Sequence, residues 1–381
     1  MISEMNSEKN IDYRFKILYA VAAAMVVCGH IPGGVISIIS DWFPYFGFSL
    51  ALFVFGSGYF YKSSNEETTV RYILEKAYKL LIPMYVYTLI YGLIVQVSRL
   101  AGFGMGGDFN LYNNLIAPVT DGHQYIYNMG GWFVVPLFMV ETYNVLVRKI
   151  SKLLCGNISE WFYFFISVAL GIVGNYLASI GFHTGWWLVL VRMLYFVPFY
   201  SLGILYRSIL EKYDRKIPNF WYFSVVFALK LAVVCYCGKM PLYTPSRCND
   251  FTEGAAMPII VGVLGIALWM RIVTILEPVI GKSRRINAVA DSTYSIMMNQ
   301  FIGFMLIKAI YAQISRIYVG FSDFDWTSYK TDIFWYYTPK GISYTAIIYV
   351  AAGLAFPVFI QKTIDKLKIR CRLFTIKSNS L

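Results

Sequence analysis

Residues 186–206 read WWLVLVRMLYFVPFYSLGILY, an apolar stretch whose only charged side chain is Arg192. A helix of about 20 such residues spans the hydrocarbon core of a bilayer. Similar runs recur between short polar segments, and ten can be delimited: 14–33, 43–61, 80–98, 131–148, 161–180, 186–206, 219–237, 256–276, 293–312 and 342–361. The sequence therefore predicts an all-α, polytopic transmembrane helical bundle forming a single domain over residues 1–381.

Composition supports a membrane-embedded chain. Of the 381 residues, 58% are hydrophobic and only 14% are charged, whereas soluble domains carry about 25% charged residues. The net charge of +12 does not indicate a nucleic-acid partner, because the basic residues lie between apolar runs rather than on one basic face. The lipid bilayer is therefore the first partner that the sequence predicts.

Cysteine spacing and the start of the chain exclude two further classes. The six cysteines form no CxxC pair and have no histidine at zinc spacing, so we predict no metal site. Cys237 and Cys248 could pair in an outer loop, but free thiols are the favoured interpretation. Arg14 and Lys16 precede an apolar run, as in a signal peptide, yet no small-residue cleavage site follows. We therefore expect a retained first helix.

The distribution of Lys and Arg predicts the orientation. Basic residues are retained on the cytoplasmic side of a membrane. With ten spans and a cytoplasmic N-terminus, 23 of the 33 Lys and Arg residues fall on the inner side, six fall in outer segments and four fall within spans. Both termini are therefore predicted to be cytoplasmic. The longest outer segments, 99–130 and 313–341, could form a lid or an acceptor platform.

Ionisable residues within apolar spans are costly in lipid and are therefore candidates for function. His30, near the outer end of the first span, suits general acid–base chemistry, although a core histidine bonded to a neighbour is the alternative. Arg192 and Trp132 lie at a similar predicted depth and could share a cavity with His30. Glu141 lies deeper and could orient His30 only if helix tilt closes the gap, so a structural or channel-lining role is preferred.

Several other polar residues are expected mainly to have structural roles. Lys230 and Lys308 are expected to extend their ammonium groups to the interface. The amides of Asn175, Asn299 and Gln300 are expected mainly to bond helix to helix. Ser57 lies in the small-residue stretch Gly56–Gly58, which permits close helix packing or approach to a narrow ligand. Arg71, Lys76 and Lys79 form a cytoplasmic flank, in which Lys76 and Lys79 are expected to share one helix face.

Five segments together resemble the acyltransferase-3 family of integral membrane acyltransferases. They are MVVCGH ending at His30, LFVFGSGYFYK, KAYKLLIPMY, GGWFVVPLF at Trp132, and FVPFYSLGILYR after Arg192. The segment ADSTYSIMMNQFIG is similar to a family segment in which a histidine often stands near the position of Asn299. The family also commonly has Arg or Lys where this chain has Tyr19, and Arg14 or Lys16 could substitute for it.

The resemblance implies transfer of an acyl group, usually acetyl from acetyl-CoA, to a sugar or polysaccharide acceptor outside the cytoplasm. It implies His30, Arg192 and Glu141 as catalytic candidates. The candidates for binding the donor are Arg14, Lys16, Ser57, Lys76, Lys79, Trp132 and Asn299. In this interpretation the chain is a multi-pass protein of a bacterial cytoplasmic membrane, with a possible homo-oligomer. No metal cofactor is implied.

Two other classes stay open from the sequence. A glycan or lipid-linked precursor transporter would also have aromatic-rich helices with intramembrane Arg, Glu and Asn, although the two halves show no internal pairing of broken helices. A scaffold within a polysaccharide-synthesis complex would require neither acetyl-CoA nor His30. Hydrolysis of a thioester by the purified protein would separate the enzyme from both alternatives.

Overall fold

The computed structural model describes residues 11–31, 48–249, 253–340 and 344–378, with side chains up to residue 368. Helices account for most of these residues, and no β-strand occurs within the described ranges apart from an isolated bridge between Thr244 and Asn249. The main helices are α1 Tyr13–Gly29, α2 Ser49–Tyr59, α3 Thr69–Leu100, α4 Val134–Cys155, α5 Glu160–Ser179, α6 Gly185–Leu205, α7 Asn219–Cys237, α8 Met257–Ile280, α9 Arg284–Asp291, α10 Thr293–Ser315 and α11 Thr345–Ser378.

Each of the ten predicted spans coincides with one of these helices, α9 being the only main helix without one. Among the described residues, eight helical segments are long and apolar enough to cross a membrane. Helices α1 and α2 are shorter, with 17 and 11 residues. Residues 32–33, 43–47 and 342–343 of the predicted spans lie outside the described residues. The prediction of an all-α polytopic bundle is confirmed, whereas its orientation and its single domain stay predictions.

Helix α6 forms the centre of the bundle. Every residue from 191 to 205 is buried, and α6 packs against α5, α2 and α4. By contrast, α7 buries only Val226, Lys230 and Val233 along its length. Outward-facing apolar side chains on a helix that can cross a membrane are suited to lipid rather than to water. Helix α6 thus forms the buried core of the bundle, whereas α7 presents most of its apolar side chains outward.

Glycines set the distance between α2 and α6. A Cβ atom at Gly58 would lie 2.0 Å from the carbonyl oxygen of Tyr200, and one at Gly203 would lie 2.1 Å from that of Phe55. The two backbones therefore touch, and no larger residue fits at this crossing. For Gly58, the small-residue stretch serves close helix packing.

The positions of Lys230 and Lys308 differ from those that the sequence analysis predicts. Lys308 has no exposed surface, and its Nζ donates a hydrogen bond to the carbonyl oxygen of Ile333 at 2.6 Å. Lys230 is 3% exposed, and its Nζ lies 5.6 Å from the centre of the Phe48 ring. The expectation that both ammonium groups reach the interface is therefore wrong. Lys308 instead attaches the segment 313–341 to α10.

Candidate active site

His30 caps the C-terminal end of α1, and its imidazole is held by its own helix. Nδ1 lies 2.7 Å from the carbonyl oxygen of Val26. A carbonyl oxygen only accepts hydrogen bonds, so Nδ1 carries the proton and the neutral ring has its lone pair on Nε2. The edge of the Phe301 ring contacts the imidazole, with 5.0 Å between ring centres. His30 is thus oriented with one nitrogen available for chemistry.

Gln300 lies beside this imidazole on α10. Its side chain is completely buried, yet neither the amide nitrogen nor the amide oxygen makes a hydrogen bond of acceptable geometry with the described residues. Leaving a buried amide unpaired costs free energy. An unpaired donor next to an oriented histidine is therefore a candidate functional group. The sequence analysis predicts mainly an interhelical role for Gln300.

A cavity of about 250 Å³ lies below His30, between α1, α2, α4 and α10. Tyr19, Ala23 and Val26 line it from one face of α1, over about 10 Å of helix length. The cavity reaches Val26, whose carbonyl holds His30, so it ends about one helical turn from the imidazole. Further lining residues include Phe53, Ser57, Phe133, Leu137, Tyr294 and Met297. The walls are mainly apolar and suit a narrow, uncharged chain.

Two ion pairs lie near the end of the cavity that is farther from His30. Lys76 Nζ is 2.7 Å from Glu141 Oε1, one helical turn from the lining residues Leu80 and Leu137. Lys16, one turn before Tyr19, pairs with Asp291, the last residue of α9. The side chains of Lys16 and Lys76 are 28% and 31% exposed, so both remain partly accessible. These lysines are the basic groups that an anion entering the cavity would meet.

Arg14 differs from these lysines because its guanidinium is already occupied. It is buried and bonds to Asp12, to Glu211 at 2.8 Å and to the hydroxyl of Tyr59 at 3.1 Å. Two carboxylates and a phenol accept four hydrogen bonds from its five N–H donors. The structure therefore gives Arg14 a role in joining α1 to α2 and the end of α6, rather than an open position for the donor.

In the structure, Glu141 does not orient His30. The carboxylate bonds to Lys76 and lies close enough to Tyr19 for their charges to interact. Tyr19 and His30 are 11 residues apart in the sequence, which is about 16 Å along a helix. Helix tilt does not close this gap. Glu141 is a buried counter-ion of Lys76, in agreement with the preferred structural interpretation.

Arg192 and Trp132 contact each other, as their similar predicted depth suggested, but neither side chain lines the cavity below His30. The guanidinium carbon of Arg192 lies 4.7 Å from the Trp132 ring centre. Its nitrogens donate to the carbonyl oxygens of Ser246 and Asp121, the latter at 3.0 Å. These bonds join two outer segments to the central helix. Arg192 is almost completely buried and holds these segments beside the site. Phe133, next to Trp132, lines the cavity.

His123 is a residue that sequence reasoning missed. Its Nδ1 is 3.1 Å from Asp121 Oδ1, and Arg247 Nη1 is 3.0 Å from the same oxygen. Burial, with a smaller contribution from Arg247, lowers the pKa of His123 below its ordinary value of 6.5. Burial opposes ionisation of Asp121, but its bond with His123 and the nearby arginine charges lower the pKa of that carboxyl. His123 is close enough to His30 for their charges to interact.

Lys79 and Asn299 lie outside the cavity. Although Lys76 and Lys79 are three residues apart, Lys76 points to Glu141, whereas Lys79 lines a separate groove between α3 and α11. Asn299 lines the same groove. The expectation of one shared lysine face is therefore wrong. Ser57 does line the cavity, and Tyr19 packs its ring on Gly56, where a Cβ would lie 2.3 Å from the tyrosine oxygen.

The cysteines described by the structure agree with the sequence interpretation. Cys237 and Cys248 are free thiols. No group of three or more metal-ligating side chains is found in the part of the chain that the structure describes.

These features define a multi-pass membrane protein whose internal cavity leads from partly exposed lysines toward an oriented histidine. The family model described as an acyltransferase domain, acyltransferase-3, matches residues 12–360. The chain belongs to the acyltransferase-3 family and is a membrane acyltransferase. No curated protein and no solved structure matches the chain.

Proposed function

We propose that this membrane acyltransferase is an O-acetyltransferase of a bacterial cytoplasmic membrane. It would move an acetyl group from cytosolic acetyl-CoA to a hydroxyl of a cell-surface glycan or its precursor. The observation that carries the proposal is the apolar cavity that ends one helical turn from His30, with lysines near its other end. A donor with a charged head and a narrow acylated arm matches both ends of this arrangement.

The residues around the cavity fit the parts of acetyl-CoA. The phosphates require cations, and Lys16 and Lys76 are partly exposed near the end of the cavity that is farther from His30. The arm is narrow and uncharged, and it matches the apolar walls from Tyr19 to Val26. Ser57 offers a hydroxyl within these walls. An arm lying in the cavity would direct the thioester toward the imidazole.

The chemistry requires His30 to accept one proton and then to return it. As the acceptor oxygen attacks the thioester carbonyl carbon, Nε2 of His30 takes the proton of the hydroxyl. The carbon–sulfur bond then breaks, and the imidazolium returns the proton to the departing thiolate of CoA. The Nδ1 hydrogen bond to Val26 fixes the ring throughout. An acetyl-imidazole on His30 is the alternative route.

Gln300 is better suited than Arg192 to stabilise the developing oxyanion. Its amide lies beside His30 and makes no well-formed hydrogen bond with the other described residues, whereas Arg192 already donates to Ser246 and Asp121. A prepositioned donor contributes most when it faces charge that forms only in the transition state. Arg192 then acts indirectly, by holding the outer segments at Trp132.

An acceptor would approach from the predicted outer side. A pocket of about 450 Å³ there is lined by Thr120, Asp121, His183, Thr184, Arg247 and Asn249, among others. Hydroxyl, amide and carboxylate groups are hydrogen-bonding partners for the hydroxyls of a sugar. The polar character of this pocket contrasts with the apolar cavity, as expected for separate acceptor and donor sites.

The test blocks the cavity and measures release of the CoA thiol. Purified protein in nanodiscs receives acetyl-CoA and glycan extracted from a strain that lacks the gene. We expect Ser57→Trp, which fills the cavity, to abolish thiol release and acetyl-CoA binding, whereas Ser57→Ala retains both. Undiminished release by a folded Ser57→Trp protein would contradict the proposed donor path. Glycan movement across vesicles without any thiol release would favour the transporter.

A further inference from the structure

A second, larger groove lies on the lipid-facing side of the bundle. It has a volume of about 690 Å³ and runs between α3, α10 and α11. Tyr294 separates it from the cavity below His30, because its hydroxyl donates to the carbonyl oxygen of Leu80 at 2.9 Å and its side chain borders both spaces. The groove is therefore distinct from the proposed donor path.

The wall formed by α3 is apolar and exposed. Ile82, Val86 and Ile90 line the groove at four-residue spacing, and they are 51%, 50% and 46% exposed. They belong to a helix that is long and apolar enough to cross a membrane. From Lys79 to Ile94 the groove follows α3 for about 22 Å. This length and chemistry suit a hydrocarbon chain.

The polar residue in the middle of the groove does not require a polar ligand. The amide oxygen of Asn299 accepts a hydrogen bond from Tyr91 at 2.7 Å, and its nitrogen donates to the carbonyl oxygen of Ser295 at 2.8 Å. The hydroxyl of Tyr87 lies 3.3 Å from the same nitrogen. With its amide satisfied within the protein, Asn299 leaves the groove suited to an apolar chain.

One end of the groove is basic. Lys79 and Lys368 line it there, together with Gln361. The nearby acids have other partners: Glu75 is 3.9 Å from Lys79 but accepts a closer bond, at 2.9 Å, from Arg71. Asp365 accepts a bond from Gln361 at 3.0 Å. Two lysines therefore face this end from different helices, on the predicted cytoplasmic side.

We propose that this groove binds an anionic phospholipid of the inner leaflet. The lipid phosphate lies between Lys79 and Lys368, and an acyl chain extends along Ile82, Val86 and Ile90. Basic residues near the cytoplasmic surface attract anionic lipids, and the exposed apolar wall accepts the chain. The inference does not rest on the proposed acetyl transfer, because the groove and the cavity are separated by Tyr294 and Leu80.

The experiment measures binding of a phosphatidylglycerol with a fluorescent acyl chain to protein in phosphatidylcholine nanodiscs. At about 1 kcal/mol per lysine near the surface, the double variant Lys79→Gln, Lys368→Gln should weaken binding about 30-fold. The matched control, Lys362→Gln with Lys366→Gln, removes the same charge from α11 at residues that do not line the groove. It should change the affinity less than threefold.

A second variant keeps the test decisive if loss of the lysines impairs folding. Ile90→Trp fills the groove and leaves both lysines in place, so it should reduce binding of the lipid without altering its headgroup contacts. Three results would overturn the inference: an equal loss in the control pair, unchanged affinity in folded groove variants, or equal binding of a phosphatidylcholine carrying the same labelled chain.

Discussion

Removing Lys76 should destabilise the protein more than removing its partner Glu141. The two side chains form an ion pair of 2.7 Å, but the carboxylate is 3% exposed and the lysine is 31% exposed. The second carboxylate oxygen also has no hydrogen-bond partner among the described residues. In Lys76→Met, Glu141 therefore keeps a buried charge without compensation, whereas in Glu141→Gln the ammonium can turn toward water.

The expected loss of stability in Lys76→Met follows from the free energy needed to neutralise the Glu141 carboxylate. Breaking a buried pair by deleting one member costs about 3–5 kcal/mol. Protonating a carboxyl with an ordinary pKa of about 4.3 at pH 7 costs roughly 3.7 kcal/mol. Because Glu141 can become protonated in the variant, this cost is an upper limit on the loss of stability. We therefore expect Lys76→Met to lose about 3–4 kcal/mol and Glu141→Gln to lose about 1 kcal/mol. The double variant should resemble Glu141→Gln.

The assay is thermal unfolding in detergent, followed by tryptophan fluorescence at pH 7 and pH 5.5. At roughly 2–3 °C per kcal/mol, Lys76→Met should lower Tm by about 6–12 °C at pH 7. The deficit relative to wild type should shrink by about 2 kcal/mol at pH 5.5, because protonation costs about 1.4 kcal/mol less for each unit of pH. A smaller loss than in Glu141→Gln, or a deficit independent of pH, would refute the reasoning.

Three further predictions address packing, catalysis and titration. Gly58→Ala places a methyl group 2.0 Å from a backbone oxygen and should cost about 1–3 kcal/mol in thermal unfolding, whereas Gly104→Ala, whose Cβ would lie 3.8 Å from its nearest neighbour, should be neutral. Gln300→Leu should lower kcat by about 100-fold or more without lowering Tm, since the buried amide it removes makes no well-formed hydrogen bond among the described residues. A lower Tm with unchanged kcat would contradict its role. NMR of the three histidines should show that His123 has a pKa below 6.5. The neutral form of His123 then stabilises the fold above about pH 6.5, and this contribution is lost as the pH falls. A pKa above 6.5 would contradict this prediction.

The fold was largely predictable because lipid imposes a simple length rule on apolar helices. All ten apolar runs coincide with helices, since a bilayer requires about 20 apolar residues and satisfied backbone groups in each span. The ends were less predictable. Helix α3 begins at Thr69 rather than near residue 80, because its basic first turns lie outside the apolar run that defined the prediction.

The site was predictable only in part, because sequence does not specify the rotation of each helix. Asn299 and Gln300 are neighbours in the sequence, but successive helical residues point about 100° apart, so one lines the lipid-facing groove and the other lies beside His30. Lys76 and Lys79 are separated by about 60° around α3, and Lys76 meets Glu141 whereas Lys79 lines the groove. The sequence analysis missed His123 because its segment has no hydrophobic periodicity. Only its two-residue spacing from Asp121 indicated a hydrogen-bonded pair.

The most direct test of the central claim is acetyl transfer to glycan by His30→Ala. Cys28→Ala is the matched control, because it truncates a side chain in the same last turn of α1 that lines neither the donor cavity nor the acceptor pocket. Both variants are first shown to be folded by thermal unfolding. We predict that His30→Ala loses O-acetylation by at least about 100-fold, whereas Cys28→Ala retains activity within a few-fold. Wild-type transfer by a folded His30→Ala protein would contradict the proposed role of His30.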